Sequence, residues 1–125
     1  MNDTPYILVV DDDWKNRELL DAYLRVGGYR VGQANSGEKA LDMIAEEPPA
    51  LVMLDVRLSG ISGLEVCRRL KNDATTRAIP ILMVTALESP EDQQQAADAG
   101  ADGFVAKPFE MEMLLAQIQC VLPKA

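Results

Sequence analysis

The chain has no histidine and only two cysteines, Cys67 and Cys120, among its 125 residues. Without histidine it carries no imidazole acid–base catalysis and no phosphohistidine chemistry of its own. The cysteines have no zinc-site spacing. Both fall inside predicted helices and read as reduced, packed thiols. Positive charge is scarce as well: 12 Lys and Arg face 20 Asp and Glu, a net charge of −8. That balance argues against direct nucleic-acid binding, which needs a basic footprint, and against docking on an anionic membrane. No apolar run approaches the roughly 20 residues that span a bilayer, and the first residues lack a basic-then-apolar leader pattern. The cytoplasm is therefore the expected compartment. Linkers, repeats and low-complexity segments are missing too. The hydrophobic content of 48% is ordinary for a globular protein. It suffices for one domain over residues 1–125, with its core over about 6–122.

Strand and helix patterns alternate from end to end. Residues 6–10 read as a buried strand. Over 13–26, Leu19, Leu20, Tyr23, Leu24 and Val26 suit a helix facing a sheet, and Gly27-Gly28 stops it. Residues 29–34 form a weaker strand containing Gly32. Ser36 caps a helix over 37–46 with Ala40, Leu41 and Ile44 on one face, and Pro48-Pro49 ends it. Residues 51–54 are continuously apolar, as in a strand covered on both faces. A third helix spans 62–72, with Leu64, Cys67 and Leu70 inward. The fourth strand is 79–84. Ser89-Pro90 reads as N-cap and first residue of a fourth helix ending near Gly100. Residues 103–106 are the fifth strand and 110–121 the last helix. Five βα units in this length make a single doubly wound α/β sheet with helices on both faces.

Four of the apolar strands end on residues able to handle a phosphoryl group. Residues 7–10 run into Asp11, Asp12 and Asp13; 51–54 into Asp55; 81–84 into Thr85; 104–106 into Lys107-Pro108. Open α/β sheets place their sites at the carboxyl edge of the strands. Three neighbouring carboxylates repel unless neutralised, and Mg²⁺, a hard cation, needs only one or two of them plus phosphate and water. Each residue has a bland alternative: an acidic helix cap, a turn-forming Asp, a β-branched strand residue, a plain loop. Taken together, those readings require four coincidences at matching strand ends. Asp55 is then the candidate nucleophile, since carboxylates form acyl phosphates. Asp13 reads as a helix cap, and Trp14 as packing on the first helix rather than covering the pocket mouth.

Asp11-Asp12 after Val9-Val10, Leu54-Asp55, Val84-Thr85-Ala86 and Ala106-Lys107-Pro108-Phe109 resemble the receiver domains (CheY-like) of two-component response regulators. The gaps fit too, at 43 residues from Asp12 to Asp55, 30 more to Thr85 and 22 more to Lys107. The resemblance implies a flavodoxin-like fold with five parallel strands in order 2-1-3-4-5. It implies that Asp55 accepts a phosphoryl group from a histidine kinase or a phosphotransfer protein. Asp12 and Asp55 would bind Mg²⁺ directly, Asp11 through water, and Arg57 through its backbone carbonyl. Thr85 and Lys107 would contact phosphoryl oxygens. Thr85 and Phe104 would form the switch, and Lys107-Pro108 is a candidate cis peptide. Catalysis would be limited to the domain's own phosphorylation and dephosphorylation. The surface of the fourth helix, fifth strand and fifth helix would serve a downstream partner or a fused output domain, with a phosphorylation-dependent homodimer left open.

Two departures from the family pattern stand out. Ser59 and Ser62 replace the usual Pro and Asp after Asp55, which gives that loop more freedom, though Ser62 still caps the third helix. The resemblance implies that bulky Arg57 and apolar Leu87 stand at the positions flanking the attacking water, so slow hydrolysis is expected. The rival readings are three. A degenerate receiver would act as a phosphorylation-independent interaction module. A haloacid-dehalogenase-like hydrolase would need small or hydroxyl residues where Trp14-Lys15 stand. A flavodoxin would need hydroxyls and backbone amides for FMN phosphate where Asp11, Asp12 and Asp13 stand.

Overall fold

Strands with no polar face need cover on both sides, and β1 (Tyr6–Val10) and β3 (Leu51–Leu54) have none; apart from Tyr6 every residue in them is buried. A parallel sheet with crossover helices on both faces supplies that cover. The computed structural model describes residues 4–86 and 90–122, except the side chains of Thr85 and Asp92. In it β1 and β3 pair directly, with Ile7 opposite Leu51 and Val10 opposite Leu54. β2 (Arg30–Ala34), partly exposed, lies outside β1; β4 (Ile81–Thr85) follows β3, and β5 (Gly103–Ala106) is the far edge. The sheet is parallel throughout, in order β2-β1-β3-β4-β5. This is the expected flavodoxin-like arrangement.

Successive strand residues face opposite ways, so two cores form. Ile7, Val9, Met53 and Val84 meet Leu20 and Leu24 of α1 (Trp14–Val26) and Leu114 and Ile118 of α5 (Met111–Val121). On the other face Leu8, Val10, Leu54 and Met83 meet three helices. These are α2 (Gly37–Glu46), α3 (Gly63–Lys71) and α4 (Pro90–Asp98), through Ile44, Val66, Cys67 and Ala96 among others.

The helix starts follow from side-chain caps. Asp13 accepts from the N–H of Lys15 at 2.9 Å, Ser36 from Lys39 at 3.1 Å and Ser62 from Glu65 at 3.2 Å. Each satisfies a donor that the first turn leaves unpaired. Gly28, at φ +91°, closes α1 in a conformation that suits glycine. The proposed Ser89 cap lies outside the described residues. β4 starts at Ile81 rather than at residue 79. The Ile79 N–H closes a turn on the Thr76 carbonyl, and Pro80 has no N–H to pair.

Several inward positions differ from expectation. In α1 only Leu20 and Leu24 are buried; Leu19 and Val26 are 42% and 69% exposed. The helix touches the sheet along one narrow i, i+4 stripe, and those two residues fall beside it. In α3 Val66 is buried and Leu64 only packs against the core margin. Cys67 is buried, its Sγ 3.3 Å from the Ala99 carbonyl, with burial pushing its thiol up to about 11. Cys120 is not packed but exposed, because two residues past inward Ile118 lies on the far side of the helix.

The turn from β3 into α3 brings backbone against backbone beneath the sheet edge. A Cβ on Gly63 would lie 1.9 Å from the Asp55 carbonyl oxygen. No side-chain rotation relieves such a clash. Gly63→Ala is therefore expected to lose about 3 kcal/mol of stability, seen as a lower urea midpoint. A variant as stable as the parent would show that this turn yields freely.

Candidate functional site

The parallel register carries the ladder past the last strand residues. The Asp55 N–H donates to the Val10 carbonyl at 3.0 Å, and the Asp11 N–H to the Ala34 carbonyl at 3.2 Å. Adjacent strands thus end on two acids side by side. At 2% and 9% exposure, Asp11 and Asp55 are the buried charged residues among those described. Lys107 follows β5, whose Ala106 pairs with Thr85. Its ammonium lies 2.9 Å from Oδ2 of Asp11 and 2.9 Å from Oδ2 of Asp55. Residues far apart in sequence therefore form one site, and the peptide after Lys107, to Pro108, is cis as expected.

Each acid is held by its second oxygen as well. Oδ1 of Asp11 accepts from the Asp13 N–H at 2.9 Å, and Oδ1 of Asp55 from the Arg57 N–H at 3.1 Å. Burial raises the Asp55 pKa above its ordinary value, and the charge of Asp11 adds to it. The bonds from Lys107 and from the Arg57 N–H oppose this without cancelling it. Burial also works against the Lys107 ammonium, but its bonds to Asp11 and Asp55 outweigh that and raise its pKa. Two carboxylates sharing one ammonium leave an excess negative charge in a poorly solvated place, which attracts a further cation.

Asp12 is exposed, and its Oδ2 accepts from the Ser59 hydroxyl at 3.3 Å. Among the described residues no group of three acidic, Cys or His side chains stands ready as a metal cage. Mg²⁺ does not require one, since one or two carboxylates, a carbonyl and water suffice. The hard oxygens of Asp11, Asp12, Asp55 and the Arg57 carbonyl suit that ion, and the charge imbalance favours it.

The Thr85 side chain and all of Leu87 lie outside the described residues. Phe104 is half-buried and lines a cavity of about 290 Å³ with Ala96, Ala97 and Ala101. Asp13 is the α1 cap, as expected. Trp14, expected to pack on α1, is instead 61% exposed at the first position of that helix. Sequence reasoning missed Arg17, which donates to the Asp11 carbonyl at 2.8 Å and to Gln33 at 3.2 Å. A cation one turn after an acidic run was the available signal. It also missed the contact of Ser59, a hydroxyl read only as a loop residue.

A family model described as the response regulator receiver domain matches residues 7–119. Response regulator MprA of Mycolicibacterium vanbaalenii is 46% identical over 116 residues, covering 93% of this chain and 49% of that protein. This chain spans half or less of the length of the curated relatives it matches. Chemotaxis protein CheY4 of Vibrio cholerae superposes with a TM-score of 0.90 at 32% identity, covering 95% of this chain and 99% of that one. The BeF3-activated N-terminal receiver domain of Klebsiella pneumoniae RstA gives 0.88 at 31% identity, covering 95% and 99%.

In Lys107→Met the buried carboxylates would face each other without their cation. Free of divalent metal, that variant is expected to lose about 1–3 kcal/mol at pH 7. Asp55 holds its proton more tightly folded than unfolded. Its contribution therefore favours folding below its ordinary 3.8 and is lost as pH rises through the raised value. Without Lys107 that value rises further, so the deficit should shrink between pH 7 and pH 5. Urea unfolding at both pH values checks this, and a deficit that deepens in acid would contradict it.

Proposed function

The chain belongs to the response regulator receiver domain family, whose members are phosphorylation-dependent signalling switches, and we propose that its phosphoacceptor is Asp55. The observation that carries this is the Lys107 ammonium set 2.9 Å from both Asp11 and Asp55. A carboxylate at a strand end, flanked by a cation and a backbone N–H, has the chemistry of a nucleophile toward phosphorus. One Asp55 oxygen forms the new P–O bond while the bond to the donor breaks, and the donor leaves with the electron pair. The Arg57 N–H restrains the acid's orientation. Lys107 offsets the repulsion between two anionic groups, and is close enough to follow the charge onto a phosphoryl oxygen.

Asp11, Asp12, Asp55 and the Arg57 carbonyl are the residues we assign to Mg²⁺, which when bound supplies further charge neutralisation. Thr85 is assigned to a phosphoryl oxygen. Phe104 beside its cavity is assigned to the switch: a group bearing up to about two negative charges draws Lys107 and the end of β4 toward it, and the space vacated admits the ring. With no hydroxyl, Phe104 would distinguish the two states by packing alone. The donor we propose is a histidine kinase or a phosphotransfer protein. The recipient is a downstream protein or a fused output domain meeting α4, β5 and α5. No helix among the described residues is long and apolar enough to cross a membrane, and we place the domain in the cytoplasm.

Intact mass after exposure to acetyl phosphate and Mg²⁺ tests the assignment. The chain should gain one phosphoryl group, with no adduct in Asp55→Asn or when the metal is chelated. An adduct surviving in Asp55→Asn would move the acceptor elsewhere, and none under any condition would favour a phosphorylation-independent interaction module. The Arg57 side chain is exposed beside the acceptor and we propose that it obstructs water. Arg57→Ala should then lose its phosphoryl group faster than the parent in a timed mass series; a slower loss contradicts the idea.

A further inference from the structure

The β3–α3 loop is less free than its sequence implies, and what restrains it leads to Asp12. Gly60 adopts φ +81°, and a Cβ there would lie 2.7 Å from a carboxylate oxygen of Glu38. The same Glu38, in the first turn of α2, accepts from the Ile61 N–H at 3.3 Å. One residue further on, Ser62 is fixed as the α3 cap. Before Ser59, Asp55 is fixed by the sheet ladder and Arg57 by its bond to Asp55. Ser59 therefore stands on a loop tied at both sides, with its hydroxyl donating to Oδ2 of Asp12 at 3.3 Å.

We propose that Ser59 is a positioning residue for divalent-cation binding: its hydroxyl anchors one oxygen of Asp12 so that the other is presented to the ion. This rests on the assignment of Asp12 as a metal ligand. Asp12 is exposed, and an exposed aspartate samples several rotamers; freezing them on binding lowers affinity. A hydrogen bond that selects one rotamer beforehand removes part of that cost. The donor's chemistry fits the task. A hydroxyl orients the carboxylate without neutralising it, whereas an ammonium or guanidinium would compete with the cation for the same charge. Outer hydrogen bonds to ligating groups are commonly worth about 10–100-fold in metal affinity. An exposed bond of this length belongs near the lower end.

The test is calorimetric titration of Mg²⁺ into the full chain, into Ser59→Ala and into Ser59→Thr, with each metal-free Tm measured alongside. Ser59→Ala should weaken Mg²⁺ binding by about tenfold. Ser59→Thr, which keeps the hydroxyl, should bind as the parent does, and the metal-free Tm should not move. Parent-like affinity in Ser59→Ala would overturn the proposal while leaving the metal assignment intact. So would equal weakening in both variants, or a weakening matched by a lower metal-free Tm, since either makes the effect one of loop integrity. A parent chain that takes up no Mg²⁺ at all would instead overturn the metal assignment, and this inference with it.

Discussion

Two buried carboxylates sharing one ammonium set the terms for the carboxyl edge of this sheet. Isolated, either Asp11 or Asp55 would be costly to keep ionised out of water. Lys107 makes the arrangement tolerable by bonding both at 2.9 Å. Burial, with the charge of Asp11 adding to it, leaves Asp55 with a raised pKa despite Lys107, and one ammonium facing two acids leaves the pocket with surplus negative charge. An exposed ion pair of the same residues would contribute little. Here burial makes the pair indispensable and its shortfall consequential, because the surplus is what a cation at the edge neutralises.

The apolar sheet exists to hold that imbalance still. β1 and β3 are covered on both faces, so their last residues emerge at fixed positions rather than from flexible loops. The backbone ladder continues through the N–H groups of Asp11 and Asp55, which places both acids before their side chains choose partners. Arg17 then secures the Asp11 carbonyl, and Asp13 turns the chain into α1 by capping it. Gly63 allows α3 to begin against the Asp55 carbonyl. Each device acts on backbone close to an acid, leaving the carboxylate oxygens for Lys107, for N–H groups and for a ligand.

The alternation of strands and helices and the convergence of Asp11, Asp55 and Lys107 were legible because they rest on period and position, whereas the strand order came from the family resemblance. A continuous apolar run in a βα chain can only be an inner parallel strand, and its carboxyl end then has one place to go. Burial around each helix was less legible. Leu19 and Val26 are as apolar as Leu20 and Leu24, and only the narrow contact of α1 with the sheet separates them. Cys120 and Trp14 were read by residue type, which says nothing of the helix side that ends up uncovered. The Ser59–Asp12 and Glu38–Ile61 bonds join segments distant in sequence through single polar atoms. No periodicity records such contacts, and they appear only once the loops are folded.

The opposite edge of the sheet shows why the stoichiometry of charge matters more than its presence. There Lys71 bonds Asp102 at 2.9 Å and also the carbonyls of Arg77 and Ile79, while Asp102 accepts from the Ile81 N–H. The ammonium's three protons are all taken. One acid meets one cation, and the cluster ties the end of α3 to the starts of β4 and β5. Nearby, Cys67 bonds the Ala99 carbonyl at the end of α4. Within that cluster the one cation and the one acid satisfy each other. The carboxyl edge uses the same residue types in a ratio of two acids to one cation, with a third acid, Asp12, at its mouth. A closed pair staples the fold, whereas two acids bonded to one cation leave charge that a further cation can offset.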